Sequence, residues 1–323
     1  MALNIVVTRE IHADALKLIH PLGDLRVWTE DRPIPPRTLQ DWIADATACL
    51  TMLTDRVDES LLAKASSLRI VSNMAVGYDN FDLKAATRRG VMMTNTPDVL
   101  TEATAELTWA LILAVMRNVL SAHRDLLEGQ WRTWSPTGFL GTELSGKTVG
   151  IVGFGRIGQA VGRRAQAFNM SVVVLSRGGG GDMNQIPRRL PLNEFLSTAD
   201  VISLHMPLLP ATRAMVDASW FSAMKPGTFL INTARGPLID EEALMTALDR
   251  GIVAGAGLDV FSHEPVDGTH PLAAHPRVLS TPHIGSATHE TRRAMAIRAA
   301  ENIRQALIGG TPRDLLNPQV CQK

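Results

Sequence analysis

The chain has 323 residues, of which 45% are hydrophobic and 20% charged, and its 32 Lys and Arg residues balance 32 Asp and Glu residues. This length allows two domains, because a single hydrophobic core rarely grows beyond about 250–300 residues. The lack of a basic excess argues against a nucleic-acid or membrane-surface partner.

Short apolar runs alternate with helical patterns along the first hundred residues, as in an α/β protein with a mainly parallel sheet. Pro97 disfavours helix at the residue before it, so this first series ends there. A long amphipathic segment then runs from Thr101 to about Gly129. The predicted strands of the first series are Asn4–Thr8, Ala48–Thr51, Ile70–Ser72 and Val91–Thr94, and the predicted helices are Ala13–Ile19, Glu59–Lys64 and Leu83–Arg89.

A second series of strands and helices begins at Lys147 and ends near Pro282. A final helix follows, from about His289 to Ile308. The breaks before and after the second series predict that it forms a domain inserted into the other. Its predicted strands are Thr148–Val152, Ser171–Leu175, Val201–His205, Thr228–Asn232, Gly255–Leu258 and Val278–Ser280.

A glycine motif follows the first strand of the second series. The segment Gly153-Phe154-Gly155-Arg156-Ile157-Gly158 matches G-x-G-x-x-G and opens a predicted helix, which is the context that a dinucleotide-binding turn requires. The three glycines permit a tight turn, close approach to a pyrophosphate and close helix–strand packing, and the helix N-terminus favours the anion. We therefore predict two Rossmann-like parallel-sheet domains. The dinucleotide-binding domain, residues 99–287, is inserted into the substrate domain, residues 1–98 and 288–323.

The end of the next strand distinguishes NADP from NAD. An acidic residue there would hold the ribose 2′-hydroxyl of NAD, but the strand ends in Ser176-Arg177 with no Asp or Glu until Asp182. Arg177 would attract a 2′-phosphate, and Ser176 could donate a hydrogen bond to it. We predict NADP as the preferred cofactor over NAD.

Three ionisable residues stand just beyond later strands of the second series. Arg235, Glu264 and His283 should meet at one edge, because the carboxyl ends of parallel strands lie together. Histidine can donate a proton to a reduced carbonyl, a neighbouring carboxylate favours its protonated form, and arginine can grip a carboxylate. Taken singly, each also fits an ordinary structural role, as a surface arginine, a turn before proline or a loop histidine.

The cysteine content and the N-terminus bear on compartment. Neither Cys49 nor Cys321 has a second cysteine at metal or redox spacing, so we predict reduced thiols, no metal and a cytoplasmic protein. The N-terminus lacks the basic region of a signal peptide. The longest apolar helix candidate, Leu107 to Met116, is too short for a bilayer, which needs about 20 residues.

Long motifs across nearly the whole chain resemble the D-isomer-specific 2-hydroxyacid dehydrogenases, and within them the glyoxylate/hydroxypyruvate reductases. The catalytic histidine, its carboxylate partner and the substrate-binding arginine of that family then correspond to His283, Glu264 and Arg235. The motifs are Ala75–Asn80, Thr96–Glu106, Trp131–Pro136, Asn232–Asp240, Gly257–Pro265 and Thr281–Thr288.

The resemblance also implies roles for residues outside the trio. Backbone amides of Val76 and Gly77 would hold the substrate carboxylate, and Asp259 would meet the nicotinamide carboxamide. The helical segment after Pro97 would be a dimerisation arm of a homodimer, with Trp134 in a loop that reaches toward the partner subunit. Other residues that would line the cofactor are Thr104, His205, Pro207, Thr212, Thr233, Ala234 and Gly285.

These observations predict NADPH-dependent reduction of a small 2-keto acid, glyoxylate or hydroxypyruvate, with His283 as the general acid. Two enzyme alternatives stay open: reduction of a bulkier keto acid such as 2-ketogluconate, and an NAD-dependent D-2-hydroxyacid dehydrogenase. The non-enzyme alternative is a corepressor that senses a dinucleotide, because fold alone does not fix function.

Overall fold

The computed structural model describes residues 3–176 and 187–322, and the chain divides into two compact units. Unit 1 comprises Met1–Leu100 and Ser286–Lys323, and unit 2 comprises Thr101–Gly285. Unit 1 is thus built from two separate stretches of chain. The assignment of substrate to one unit and cofactor to the other stays a prediction.

Unit 1 is a five-stranded parallel sheet in the order β2-β1-β3-β4-β5, with helices packed on it. The central strands β3 and β4 are fully buried, which fits their continuous apolar character. Numbered along the whole chain, its elements are β1 Leu3–Val7, α1 Ala13–Ile19, β2 Gly23–Val27, α2 Pro36–Ile43, β3 Ala48–Thr51, α3 Glu59–Leu62, β4 Ile70–Asn73, α4 Leu83–Arg88, β5 Met92–Thr94 and α12 His289–Leu307.

The last helix, α12, belongs to unit 1 although unit 2 precedes it in the chain. The hydroxyl of Thr288 caps its N-terminus by accepting the N–H of Thr291 at 3.1 Å. Its buried face contains small residues such as Ala299 and Ala300, and it packs on β3 and β4. Farther along, the amide side chain of Asn317 accepts the N–H of Met93 and so ties this segment to β5.

Unit 2 is a seven-stranded parallel sheet in the order β12-β11-β10-β9-β6-β7-β8. The strand order reverses between β6 and β9, which is the crevice where ligands bind in open α/β sheets. Its elements are α5 Thr101–Met116, α6 Val119–Leu127, β6 Thr148–Val152, α7 Arg156–Ala165, β7 Ser171–Leu175, β8 Arg188–Arg189, α8 Leu192–Thr198, β9 Val201–Leu204, α9 Ala218–Ala223, β10 Thr228–Asn232, α10 Glu241–Asp249, β11 Val253–Leu258, α11 Pro271–Ala274 and β12 Val278–Ser280.

The segment predicted as one amphipathic stretch from Thr101 to Gly129 is two helices, so that interpretation was wrong. Asn118 adopts a left-handed conformation with φ of 53°, a conformation that asparagine tolerates better than most residues, and α5 and α6 meet there at a bend of 65°. Within the described residues, no single helix is long and apolar enough to cross a membrane, although α5 and α6 together reach that length and composition.

Candidate active site

The polar residues of interest in unit 2 follow the ends of its parallel strands. Because all seven strands run in one direction, their carboxyl ends lie along one edge of the sheet, which we call the carboxyl edge. The structure places most of the predicted unit 2 residues there. In strand order along the chain they are Gly153 after β6, Ser176 after β7, His205 after β9, Thr233–Arg235 after β10, Asp259 after β11 and Thr281–His283 after β12.

The glycine turn between β6 and α7 requires two of its glycines for steric reasons. Gly153 has φ of +88°, and a Cβ there would lie 2.7 Å from the carbonyl oxygen of His205, on the other side of the switch point. A Cβ on Gly158 would overlap the carbonyl oxygen of Gly153, so only glycine lets α7 pack this close to the turn. Phe154 closes the turn by accepting a hydrogen bond from the side chain of Gln159.

Gly155 has a different environment, and it supports a dinucleotide at this turn. It is exposed at the N-cap of α7, and no atom lies within 4 Å of the position where its Cβ would be. Open space at a helix N-terminus, where Arg156 and Ile157 begin α7, is what a pyrophosphate needs. The residues present therefore fit a dinucleotide.

Ser176 ends β7, one strand away from the glycine turn. Its hydroxyl oxygen is buried and has no hydrogen-bond partner among the described residues. Arg177, which the sequence predicts to attract a 2′-phosphate, lies outside the described residues.

Arg235 lies in a turn that is stabilised by the buried side chain of Asn232. Its carboxamide donates a hydrogen bond to the carbonyl of Arg235 at 2.8 Å and accepts one from the N–H of Ala234 at 3.0 Å. Asparagine at a strand end often folds back on the following backbone in this way. The Arg235 side chain is partly buried and donates to the carbonyl of Ala234.

His283 and Glu264 form a hydrogen-bonded pair, with 2.7 Å between Nδ1 and Oε2. Both side chains keep some solvent exposure, 27% for His283 and 30% for Glu264. The other carboxylate oxygen of Glu264 accepts the N–H of Phe261 at 3.0 Å, which fixes the carboxylate on its own loop. His283 has a left-handed backbone with φ of 55°, a conformation that is uncommon outside glycine and recurs at functional sites.

Charges around this pair favour the ionised carboxylate. Burial raises the pKa of Glu264, but the hydrogen bond from His283, the charge of His283 and that of Arg235 outweigh burial and leave the pKa below its ordinary value. Arg235, Glu264 and His283 therefore lie close enough in unit 2 to interact electrostatically.

Asp259 is buried at the end of β11 and holds the loop that carries His283. Its carboxylate accepts the hydroxyl of Thr281 at 2.6 Å and the N–H groups of Ile284 and Gly285, both at 2.8 Å. Burial raises the pKa of Asp259, and these bonds together with the charge of His283 offset part of that effect. A carboxylate has about four acceptor positions, so one remains for a ligand donor such as a carboxamide.

Thr104 and Thr108 of α5 connect two loops of the carboxyl edge. Thr104 donates to the carbonyl of Gly285 at 3.1 Å, and the hydroxyls of Thr108 and Thr233 lie 2.9 Å apart. Across the switch point, the hydroxyl of Thr212 donates to the carbonyl of Pro207 at 2.9 Å and so closes the loop after β9.

Val76 and Gly77 lie in unit 1, in the loop after β4. Asparagine side chains hold this loop through its carbonyls: Asn95 donates to Val76 at 2.8 Å and Asn73 to Gly77 at 3.0 Å. In the part of the chain that the structure describes, the N–H groups of Val76 and Gly77 make no hydrogen bond. Two adjacent free amides can bind an anion.

Several residues that shape the site were missed as site residues from the sequence. These residues contact the loops that carry the predicted residues, and they are Asn232, Thr108 and Glu241. Glu241 accepts the N–H of Ser262. The asparagine directly after an apolar strand was a usable signal for a turn. For Thr108 and Glu241 the contact partners are 125 and 21 residues away, and no local pattern of residues marks them.

Comparison with known proteins agrees with this architecture. The model for the D-isomer specific 2-hydroxyacid dehydrogenase NAD-binding domain matches residues 109–285. A glyoxylate reductase of Aeropyrum pernix is 45% identical over 99% of this chain and 97% of its own length. The crystal structure of a Thermus thermophilus protein superposes with a TM-score of 0.91 at 42% identity, covering 97% of this chain and all of that one. An NADPH-dependent glyoxylate/hydroxypyruvate reductase of Sinorhizobium meliloti, crystallised with NADP and malonate, gives a TM-score of 0.85 at 31% identity, covering 99% of this chain and 98% of that one.

The fold and the site define a nicotinamide-dinucleotide-dependent oxidoreductase. The chain belongs to the D-isomer specific 2-hydroxyacid dehydrogenase family. It is an NAD(P)-dependent dehydrogenase that reduces a keto acid to a hydroxy acid, as the resemblance of the sequence to this family predicted.

Proposed function

We propose that this enzyme reduces glyoxylate or hydroxypyruvate to the corresponding 2-hydroxy acid and prefers NADPH. The observation that carries the proposal is the His283–Glu264 pair at the same carboxyl edge as the glycine turn, because a proton donor and a cofactor site on one edge suit carbonyl reduction. The relatives named glyoxylate reductase support the choice of substrate.

The residues proposed to hold the cofactor lie around the switch point. The Gly153–Gly158 turn would bind the pyrophosphate, Ser176 and Arg177 the 2′-phosphate, and Asp259 the nicotinamide carboxamide. The hydroxyl of Ser176, which is buried without a partner among residues 3–176 and 187–322, supports a polar group there, and an arginine in place of an acidic residue favours a phosphate over a free ribose hydroxyl. The dinucleotide, when bound, supplies the hydride for the carbonyl carbon of the substrate.

The chain's own residues supply binding and the proton. We propose that the amides of Val76 and Gly77 bind the substrate carboxylate, and that Arg235 binds it as well and polarises the keto oxygen. His283 donates a proton to that oxygen as negative charge develops on it. Glu264 orients the ring of His283, since it accepts from Nδ1 and leaves Nε2 for the substrate.

The working molecule is proposed to be a homodimer. The observation behind this is a concentration of exposed apolar side chains in one stretch of chain between residues 119 and 140, which we call the arm surface: Val119, Leu120, Leu126, Leu127, Trp131, Trp134, Phe139 and Leu140. Of the 13 large hydrophobic side chains that are exposed in the described residues, these are eight. Patches of that kind on a monomer usually mark an interface.

A kinetic matrix tests substrate and cofactor together. Values of kcat/KM for glyoxylate, hydroxypyruvate, pyruvate and 2-ketogluconate, each with NADPH and with NADH, should be highest for one of the first two with NADPH. The kcat/KM with NADPH should exceed that with NADH by at least about tenfold, or about 1.4 kcal/mol, because NADPH would form one charge pair that NADH lacks. A higher value for 2-ketogluconate or NADH would support the alternative enzymes instead.

The His283→Ala variant controls for the mechanism within the same assays. Its kcat should fall by about 10²–10⁴-fold while the dissociation constant for NADPH stays the same, because only the proton donor is removed. Near-normal turnover would reject His283 as the acid. A wild-type protein that binds NADPH but turns over none of the four substrates would favour a dinucleotide-sensing role.

A further inference from the structure

We infer that Glu241, the first residue of α10, is a positioning residue for Glu264 and through it for His283. The inference rests on the proposed function, because it assigns a role in the proton transfer proposed for His283. The side chain of Glu241 reaches the loop Phe261–Glu264, which carries the carboxylate partner of the histidine.

Two carboxylates hold two successive amides of this loop. The N–H of Phe261 donates to Glu264 Oε1 at 3.0 Å, and the N–H of the next residue, Ser262, donates to Glu241 Oε1 at 2.8 Å. The bond between Glu264 and Phe261 closes a ring of only four residues within the loop itself. The bond to Glu241 anchors that loop to α10, an element with its own N-cap at Asp240.

The second oxygen of Glu241 faces a histidine. His270 Nε2 lies 3.4 Å from Glu241 Oε2, and the His270 ring packs edge-on against the ring of Phe261, with 5.1 Å between centroids. Phe261 is buried, and a Cβ on Gly236 would overlap its backbone, so the loop is confined on a second side. Glu241 thus has defined partners on both oxygens, as a residue that fixes geometry requires.

Release of this anchor should loosen the hydrogen bond between Glu264 and His283. Among the described residues of unit 2, the charged groups that interact with the histidine or its partner are Glu264, Asp259 and Arg235, and His270 lies beside Glu241. If Glu264 is held less firmly, the ring of His283 is oriented less firmly for proton donation. The rate of reduction, which needs that proton, should then fall.

The test compares kcat and the KM values for glyoxylate and NADPH in the wild type, Glu241→Ala and Glu241→Gln. We expect Glu241→Ala to lower kcat at least tenfold with the KM for NADPH unchanged, because the positioning of the proton donor is lost and cofactor binding is not. Glu241→Gln keeps an oxygen that can accept from Ser262, so its kcat should stay within threefold of the wild type.

Glu242→Ala is the matched control, because Glu242 is exposed in the same first turn of α10 and its removal changes the helix terminus by the same charge. The inference is overturned if Glu241→Ala matches Glu242→Ala in kcat, or if Glu241→Gln is as impaired as Glu241→Ala. An inactive His283→Ala beside a normal Glu241→Ala rejects only the role of Glu241. An active His283→Ala rejects the proposed proton donor and this role with it.

Discussion

Burial sets the protonation state of His205, the residue directly after β9. Removal from water disfavours the imidazolium and lowers the pKa of His205 to about 3, while its Nε2 lies 2.8 Å from the hydroxyl of Ser203. The ring is therefore neutral in the folded protein at neutral and mildly acidic pH. His283 differs from His205 in that its ring nitrogen is paired with a carboxylate, that of Glu264.

This lowered pKa predicts an acid-sensitive contribution to stability. Between pH 6.5 and about 3 the unfolded chain binds a proton at residue 205 and the folded chain does not, so stability is lost as pH falls below 6.5. Since the side chain keeps some exposure, we expect the wild type to lose about 1–2 kcal/mol more than His205→Gln between pH 7 and pH 5. Urea unfolding at both pH values measures the difference.

The control for that measurement is His20→Gln, because His20 is an exposed histidine of unit 1. This variant should keep the wild-type dependence of unfolding free energy on pH. Equal pH dependence in His205→Gln and the wild type would contradict a neutral, buried His205.

Residues at the carboxyl edge differ in how well the sequence could predict them. Arg235 and His283 could be placed because each follows an apolar strand, and parallel strands bring such positions to one edge. Thr108 and Glu241 could not, because their contacts depend on how α5 and α10 pack against loops far away in the chain. The contacts of Thr108 and Glu241 can be recognised only from interatomic distances in the structure.

At the scale of elements, the β6–turn–α7 unit combines two kinds of glycine. Gly158 is required by packing, since a Cβ there would overlap the turn, whereas Gly155 faces open space. The same motif therefore serves the fold with one glycine and leaves room for a ligand with another. Substitutions at the two positions should separate these effects.

Gly155→Ala should raise the dissociation constant for NADPH at least about tenfold, with an unfolding free energy within about 0.5 kcal/mol of the wild type, because its backbone conformation, with φ of −77°, suits alanine. Gly158→Ala should lower the unfolding free energy by about 1–3 kcal/mol through overpacking. Cofactor titration and urea unfolding of both variants measure this. Unchanged NADPH affinity in Gly155→Ala would argue against a pyrophosphate at this turn.

Most strands could be predicted as elements, and those that were missed share a physical reason. The strand β2, Gly23–Val27, is an edge strand with only two apolar side chains, and β8 has two exposed arginines, so neither shows the apolar run of a buried strand. The helix α5 is buried on most sides. Its end at Met116 could not be predicted, because the pattern of polar and apolar residues does not change there.

At the scale of the whole molecule, the arm surface predicts the state of assembly. Two chains of 35.0 kDa give 70.0 kDa, and light scattering should find that mass at micromolar concentration. A double variant, Leu127→Asp with Trp134→Ser, introduces a charged and a polar side chain into this surface. In the single chain Leu127 is 73% exposed and Trp134 is 78% exposed. We expect this variant to be monomeric, because a buried unpaired charge opposes association.

Ile308→Asp is the matched control, since Ile308 is an exposed apolar residue at the end of α12, outside the arm surface. It should leave the mass at 70.0 kDa, twice the 35.0 kDa of one chain. A monomeric wild type, or a dimer that the double variant leaves intact, would contradict the assignment of this surface.

The two separate stretches of unit 1 affect the order in which the protein can fold during its synthesis. Residues 101–285 form unit 2 without a break, so all of unit 2 is synthesised before residues 286–323. Until then the first hundred residues lack α12, which covers β3 and β4, and Asn317, which binds β5. Domains generally fold as units during synthesis. The half of the enzyme that is translated first is therefore the half that is completed last.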